Sequence, residues 1–109
     1  MPKTVKDLLI EIRNVTELII DLAYSSVLYD AEDIAEEVLE LEAKFYELLN
    51  EIRTLATLSV RRVEDARRIA AILQIANASQ KMSSAAGDKA TLVLRNYKLE
   101  KDIIKLILS

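Results

Sequence analysis

ANASQKMSSAAGDKAT, residues 76–91, is the stretch whose reading decides how this chain folds. It holds five alanines, three serines and the protein's single glycine, Gly87. Apolar residues at helical spacing continue on either side, so the stretch reads as a thin helix. A helix with so little bulk lets another backbone come close, or leaves room beside it for polar atoms. Ala76, Ser83, Gly87 and Ala90 are the positions expected to lie in close helix packing.

Working outward, the same inner line runs through Ala66, Ile69, Leu73, Gln80 and Leu94. This third helix is expected to start near Val63, with Glu64 and Asp65 in its first turn complementing the helix dipole. Gly87 costs about 1 kcal/mol relative to alanine mid-helix, and the helix is expected to pass through it. Past Arg95 two readings stand. Asn96 ends or bends the helix and Lys98–Leu108 forms a short separate helix, or the helix runs unbroken for roughly 70 Å at 1.5 Å per residue. The first is the expectation here, because an unbroken helix overhangs its two shorter neighbours. The apolar tail IIKLIL then needs cover from its own bundle or a partner chain.

Upstream, Thr4 with Asp7 three residues on marks the start of helix one. Its seam, Val5, Leu8, Ile12, Val15, Ile19 and Leu22, alternates spacings of three and four. Leu9, Ile20, Ala23 and Val27 widen the stripe, which implies two neighbours. That helix is expected to end at Ser26–Tyr29. Asp30 reads as the N-cap of helix two, whose seam is Ile34, Val38, Leu41, Phe45, Leu48, Ile52 and Leu55. Leu39, Tyr46 and Leu49 flank this seam and suggest a second contact surface. Thr57–Arg62 is the one link to helix three, and a link that short makes neighbours antiparallel.

The fold expected is therefore all-α: an antiparallel up-down-up three-helix bundle with helices over about 4–28, 31–58 and 62–95. Residues 1–95 form the bundle, and 96–109 form a C-terminal helical extension (about 98–108) or the start of a linker. Composition agrees, with 109 residues, about half of them apolar, 30% charged, and one glycine and one proline. Such a chain has long helices and little loop. Met1–Lys6 leads into no signal-peptide pattern. The run Leu18–Leu28 contains Asp21 and falls short of the ~20 residues that span a bilayer. A soluble, cytoplasmic protein is expected, in keeping with the absence of cysteine.

The net charge of −3 hides an asymmetry. Residues 1–51 carry 13 acids and 4 bases, and residues 52–109 carry 5 acids and 11 bases. Antiparallel helices set these opposite signs side by side. Arg61, Arg62, Arg67 and Arg68 form the one tight basic cluster. It reads as a solvated helix start before an anion or partner contact, and nucleic acid is not expected to bind.

Histidine and cysteine are both missing, which removes the commonest general base and the soft metal ligands. One glycine cannot build a phosphate-cradling loop. Nucleophilic catalysis from Ser79, Ser83 or Ser84 needs a base, and Lys81 or Lys89 is the nearest. Serines in an alanine-rich helix read as packing residues instead, so no enzyme, no catalytic residue and no cofactor are expected. The acidic run Asp30–Glu42 places Asp33, Glu37 and Glu40 on one face, as a hard cation requires. Without ligands from a second helix, the plainer reading is a solvated face.

YDAEDIAEEVLELE (29–42) and ASQKMSSAAGDKATLVL (78–94), in this order across three helices, resemble the PhoU-like domains over most of residues 4–95. The resemblance implies a cytoplasmic three-helix bundle that dimerises or occurs in tandem and regulates membrane transport, chiefly of phosphate. Many members hold metal clusters on a repeated acidic motif. By that resemblance its copies fall on Glu42 and Tyr46, and on Gln80 and Ser84. Only Glu42 is still acidic, so the metal site is expected to be lost. AAGD (85–88) resembles the archaeal branch, in which such a domain precedes a ligand-binding domain associated with potassium channels and transporters. The tail KLEKDIIKLILS (98–109) resembles the connecting segment there. The resemblance thus implies a non-catalytic regulatory and dimerisation module, stand-alone or excised, whose partners are a second copy and a membrane transport component or ligand-binding regulatory domain. From the residues alone, a metal- or anion-binding bundle and a plain scaffold stay open.

Overall fold

A computed structural model of the chain describes residues 3–109, so the first two positions of Met1–Lys6 lie outside the described residues. Three helices run up, down and up: α1 (Val5–Leu28), α2 (Glu32–Leu58) and α3 (Val63–Leu108). Each packs on both of the others. The molecule is all-α, with no strand among the described residues.

α1 begins as its sequence dictates. Thr4 Oγ1 accepts from the Asp7 amide at 3.1 Å, and the Thr4 amide donates to Asp7 Oδ2 at 3.0 Å, a complete capping box. These bonds hold the Asp7 carboxyl below its ordinary range, the backbone bond at Thr4 contributing most. The helix ends at Leu28, and the turn after it corrects the sequence expectation for Asp30. Asp30 takes a positive φ of 49°. Its amide donates to Val27 O, and the Ala31 amide donates to Ser26 O at 3.0 Å. Two such bonds around one left-handed residue close the C-terminus of α1, a position that aspartate tolerates better than most side chains. Asp30 is thus spent on reversing the chain. The N-cap of α2 is Ala31, which has no side-chain bond to offer. Glu32 and Asp33 still place negative charge at that dipole end.

The core is built from large side chains on α1 and α2 and small ones on α3. Leu8, Ile12, Val15 and Ile19 meet Val38, Phe45, Leu48, Leu49 and Ile52, against Ala76, Ala86 and Ala90. Burying each Leu, Ile or Phe contributes about 1.5–3 kcal/mol, so α1 and α2 supply most of the driving force. The flanking surface expected on α2 is used inside the chain: Leu49 is buried, and Leu39 and Tyr46 are partly covered by the core. On α1, Ala23 is buried, whereas Ile20 and Val27 remain exposed.

α3 is one helix of 46 residues. The expected break at Asn96 does not occur, and the helix also passes through Gly87 without positive φ. No proline or glycine follows Gly87, and asparagine inside a helix costs well under about 1 kcal/mol. Nothing local stops propagation. The helix is about 69 Å long at 1.5 Å per residue, in keeping with the 68 Å long axis of the molecule. α1 and α2 reach only about 36 and 40 Å by the same rise. From Lys98 to Ser109 every residue is exposed. The overhang that favoured a break is thus a real feature of the fold.

The charge asymmetry does not become ion pairs between helices. Among the described residues the pairs are Lys3–Glu11 at 2.9 Å and Arg68–Asp65 at 3.0 Å, each local in the chain. No helix among the described residues is long and apolar enough to cross a membrane.

Candidate functional site

Where α2 and α3 run side by side, polar residues replace the core along one edge. The thinness of α3 makes this edge. Its small residues leave space that side chains from α2 fill.

The first rung is Glu42 against Gly87. The carboxylate lies on the backbone of Gly87, where a Cβ would otherwise sit. Its Oε2 is buried and has no hydrogen-bond partner among the described residues. Burial pushes the Glu42 carboxyl above the ordinary glutamate range, and the nearby charge of Asp88 pushes it further.

In the second rung, Tyr46 and Ser84 share a hydrogen bond at 2.7 Å between their hydroxyls. The third is Arg53, whose Nη2 donates to Asn77 Oδ1 at 2.8 Å and to Gln80 Oε1 at 3.0 Å. Going down α2 from Glu42 to Arg53 means going back along α3 from Gly87 to Asn77, as antiparallel packing requires.

Of the four positions that the sequence resemblance singled out, the structure joins Tyr46 and Ser84. Glu42 sits one turn away beside Gly87. Gln80 lies on the other side of that pair and is held by Arg53. These four therefore form no single cluster. A tyrosine, a serine and an amide do not replace carboxylates on a multinuclear metal. Among the described residues no three His, Cys, Asp or Glu side chains come together as a metal would need. The residues present do not fit the metal cluster of the family resembled.

Arg53, Gly87 and Asp88 join this edge without a place among those four positions, and spacing offers a signal for Asp88 alone. Glu42 and Tyr46 are four apart on α2, and Ser84 and Asp88 are four apart on α3. Such pairs share a helix face. The Tyr46–Ser84 bond then fixes the register between these two faces.

The four close-packing positions, Ala76, Ser83, Gly87 and Ala90, are all buried. Ser83 Oγ lies 3.5 Å from Thr16 Oγ1 of α1, so this serine faces a hydroxyl. Lys81 and Lys89 are exposed, and among the described residues neither is hydrogen-bonded to a serine. Asp33, Glu36, Glu37 and Glu40 point to solvent, as do Arg61, Arg62, Arg67 and Arg68.

A second candidate surface is apolar. Between α1 and α3 a groove is lined by Leu9, Ile10, Ile20, Ile75 and Met82. It continues past Tyr24, Val27 and Ala85. Ile75, Met82, Tyr24 and Val27 are each at least half exposed.

No family model matches the chain, and no curated protein matches it.

Proposed function

We propose that the chain is a non-catalytic regulatory and dimerisation module, PhoU-like in character, that acts in the control of membrane ion transport, of phosphate or potassium. The observation that carries the dimerisation part is the apolar face of α3. It begins at the groove beside α1 and runs on through the exposed residues Leu92, Leu99, Ile103 and Leu106. An apolar surface of that extent needs a partner. The transport part rests on the resemblance of residues 29–42 and 78–94. A bundle whose sequence has no histidine or cysteine, and in which no serine is hydrogen-bonded to a lysine among the described residues, fits a protein that works by docking.

The transport part is tested by measuring phosphate uptake and potassium uptake in cells with and without the chain. A change in one of them, together with co-purification of a component of that transport system, supports the reading. Unchanged uptake of both ions contradicts it.

One observation favours a second reading, a bundle that binds a small cation. Glu42 keeps a buried carboxylate oxygen without a partner. Metal analysis of protein purified without chelator decides this, together with melting curves in iron, zinc or magnesium. No metal and no shift in melting temperature would sink it.

A further inference from the structure

The exposed side of α3 carries a second seam of its own, distinct from the one that faces the core. Its members are Ile75, Ala78, Met82, Ala85, Lys89, Leu92, Asn96, Leu99, Ile103 and Leu106, spaced three and four apart without a miss. Every one of them is exposed in the single chain. Eight of these ten exposed positions are apolar, six of them large, over 32 residues. Apolar residues held to one side at alternating spacings of three and four are the repeat of a coiled coil.

Assigning the heptad gives a definite residue pattern. Ile75, Met82, Lys89, Asn96 and Ile103 occupy the a positions; Ala78, Ala85, Leu92, Leu99 and Leu106 occupy d. In the upper heptads d is leucine throughout (Leu92, Leu99, Leu106), and a holds Ile103 with two polar residues, Lys89 and Asn96. Leucine at d with isoleucine and buried polar residues at a favours two parallel strands. The lower heptads, with Ala78 and Ala85 at d, are thinner. Asparagine at a pairs with itself across a parallel, in-register dimer, and in an antiparallel one it faces an apolar d residue. The charges flanking the seam agree. Arg95 is at g and Glu100 at the following e, which face one another between parallel strands. Among the described residues neither forms an ion pair within its own chain. Lys89 at a is likewise flanked by an acidic g residue, Asp88.

We infer that the partner of this face is a second copy of the chain, joined through a parallel two-stranded coiled coil along the outer seam of α3. Asn96 fixes its register. The inference deepens the dimerisation part of the proposed function and rests on it. It also gives the overhang a purpose: a helix that outruns its own bundle by several turns provides length for pairing. Tyr97 and Lys101, whose ammonium lies 4.8 Å from the ring centroid, sit off the seam and leave it free. The small d residues Ala78 and Ala85 let the two bundles approach at the lower end, where Ile20 and Tyr24 of α1 flank the groove.

Five variants test it, each at exposed positions whose change leaves the bundle intact by circular dichroism. Ser109→Cys introduces the only thiol, and under mild oxidation a parallel dimer is expected to become mostly disulfide-linked. Antiparallel strands hold these ends tens of ångströms apart, so failure to cross-link overturns the parallel arrangement. Arg95→Glu is expected to weaken dimerisation at least several-fold, and Arg95→Glu with Glu100→Arg to restore it. Asn96→Leu is expected to strengthen association while admitting trimers or tetramers. A dimer whose dissociation constant is unmoved by Leu99→Glu overturns the coiled coil and leaves dimerisation standing. A monomer at all concentrations overturns both.

Discussion

The carboxylate of Glu42 rests on the backbone of Gly87, in the space a Cβ there would fill. The only glycine of the chain is therefore where it is for a neighbour's sake. Helix geometry does not ask for it, since no positive φ occurs at this residue.

Gly87→Ala follows directly. The new methyl displaces the far end of a flexible side chain, which can swing toward water and be solvated there. Alanine also regains up to about 1 kcal/mol of helix propensity. The expected result is unchanged or slightly raised stability in chemical denaturation, with the Glu42 carboxyl returning toward its ordinary range. A loss above about 2 kcal/mol would mean that the niche is rigid, as overpacked cores are.

Glu42 also sets a pH dependence. Burial and Asp88 raise its carboxyl above the unfolded value, so between the two values the folded state binds more protons than the unfolded one. Stability then falls as pH rises from the ordinary glutamate range through the raised value. Glu42→Gln is expected to be more stable than the parent at neutral pH, and the gap should close as the pH falls below the ordinary glutamate range. Asp7 acts with the opposite sign. Its lowered carboxyl supports the fold above the ordinary aspartate range, and that support is lost as pH falls through the folded value. Comparing the two variants Glu42→Gln and Asp7→Asn by thermal melts across pH separates them.

The bond between Tyr46 and Ser84 joins α2 to α3 at 2.7 Å. Tyr46→Phe is expected to cost about 0.5–1.5 kcal/mol, and Ser84→Ala about the same. The double variant should cost less than their sum, because both remove one interaction. Strict additivity in urea unfolding would mean that the hydroxyls do not act on each other.

Ala90 is fully buried on α3. Ala90→Leu adds bulk where α3 must stay thin and is expected to cost about 1–3 kcal/mol. Leu99→Ala, on the exposed overhang, should leave the stability of the single bundle unchanged. Unfolding monitored at low protein concentration compares the two.

These residues also show what the sequence made legible. The seams of α1 and α2 could be read because large apolar side chains recur there at three and four, and Leu8, Ile12, Val38 and Phe45 are buried accordingly. Ala35 and Ala56 escaped that reading, because a small residue carries no signal of its burial until its neighbour is known. Asp30 reads from sequence as the start of helix two, because aspartate favours N-caps, whereas the path of the turn puts it at the left-handed residue that ends α1. Asn96 has the polarity of a helix end, but without glycine or proline nearby it breaks nothing. The candidate site depended on something local sequence does not hold, the axial offset of two antiparallel helices. The resemblance gives Glu42 and Tyr46 as one motif copy and Gln80 and Ser84 as the other, with no register between them. The bundle sets Glu42 on Gly87, Tyr46 on Ser84 and gives Gln80 to Arg53.

Light scattering across a concentration series, on the unmodified chain, tests the central claim most directly. A chain of 12.3 kDa whose outer α3 face is covered by a second copy should approach a molar mass about twice that value as concentration rises. A mass that stays at that of one chain up to millimolar concentration would contradict it, and would leave the apolar face of α3 without the partner proposed for it.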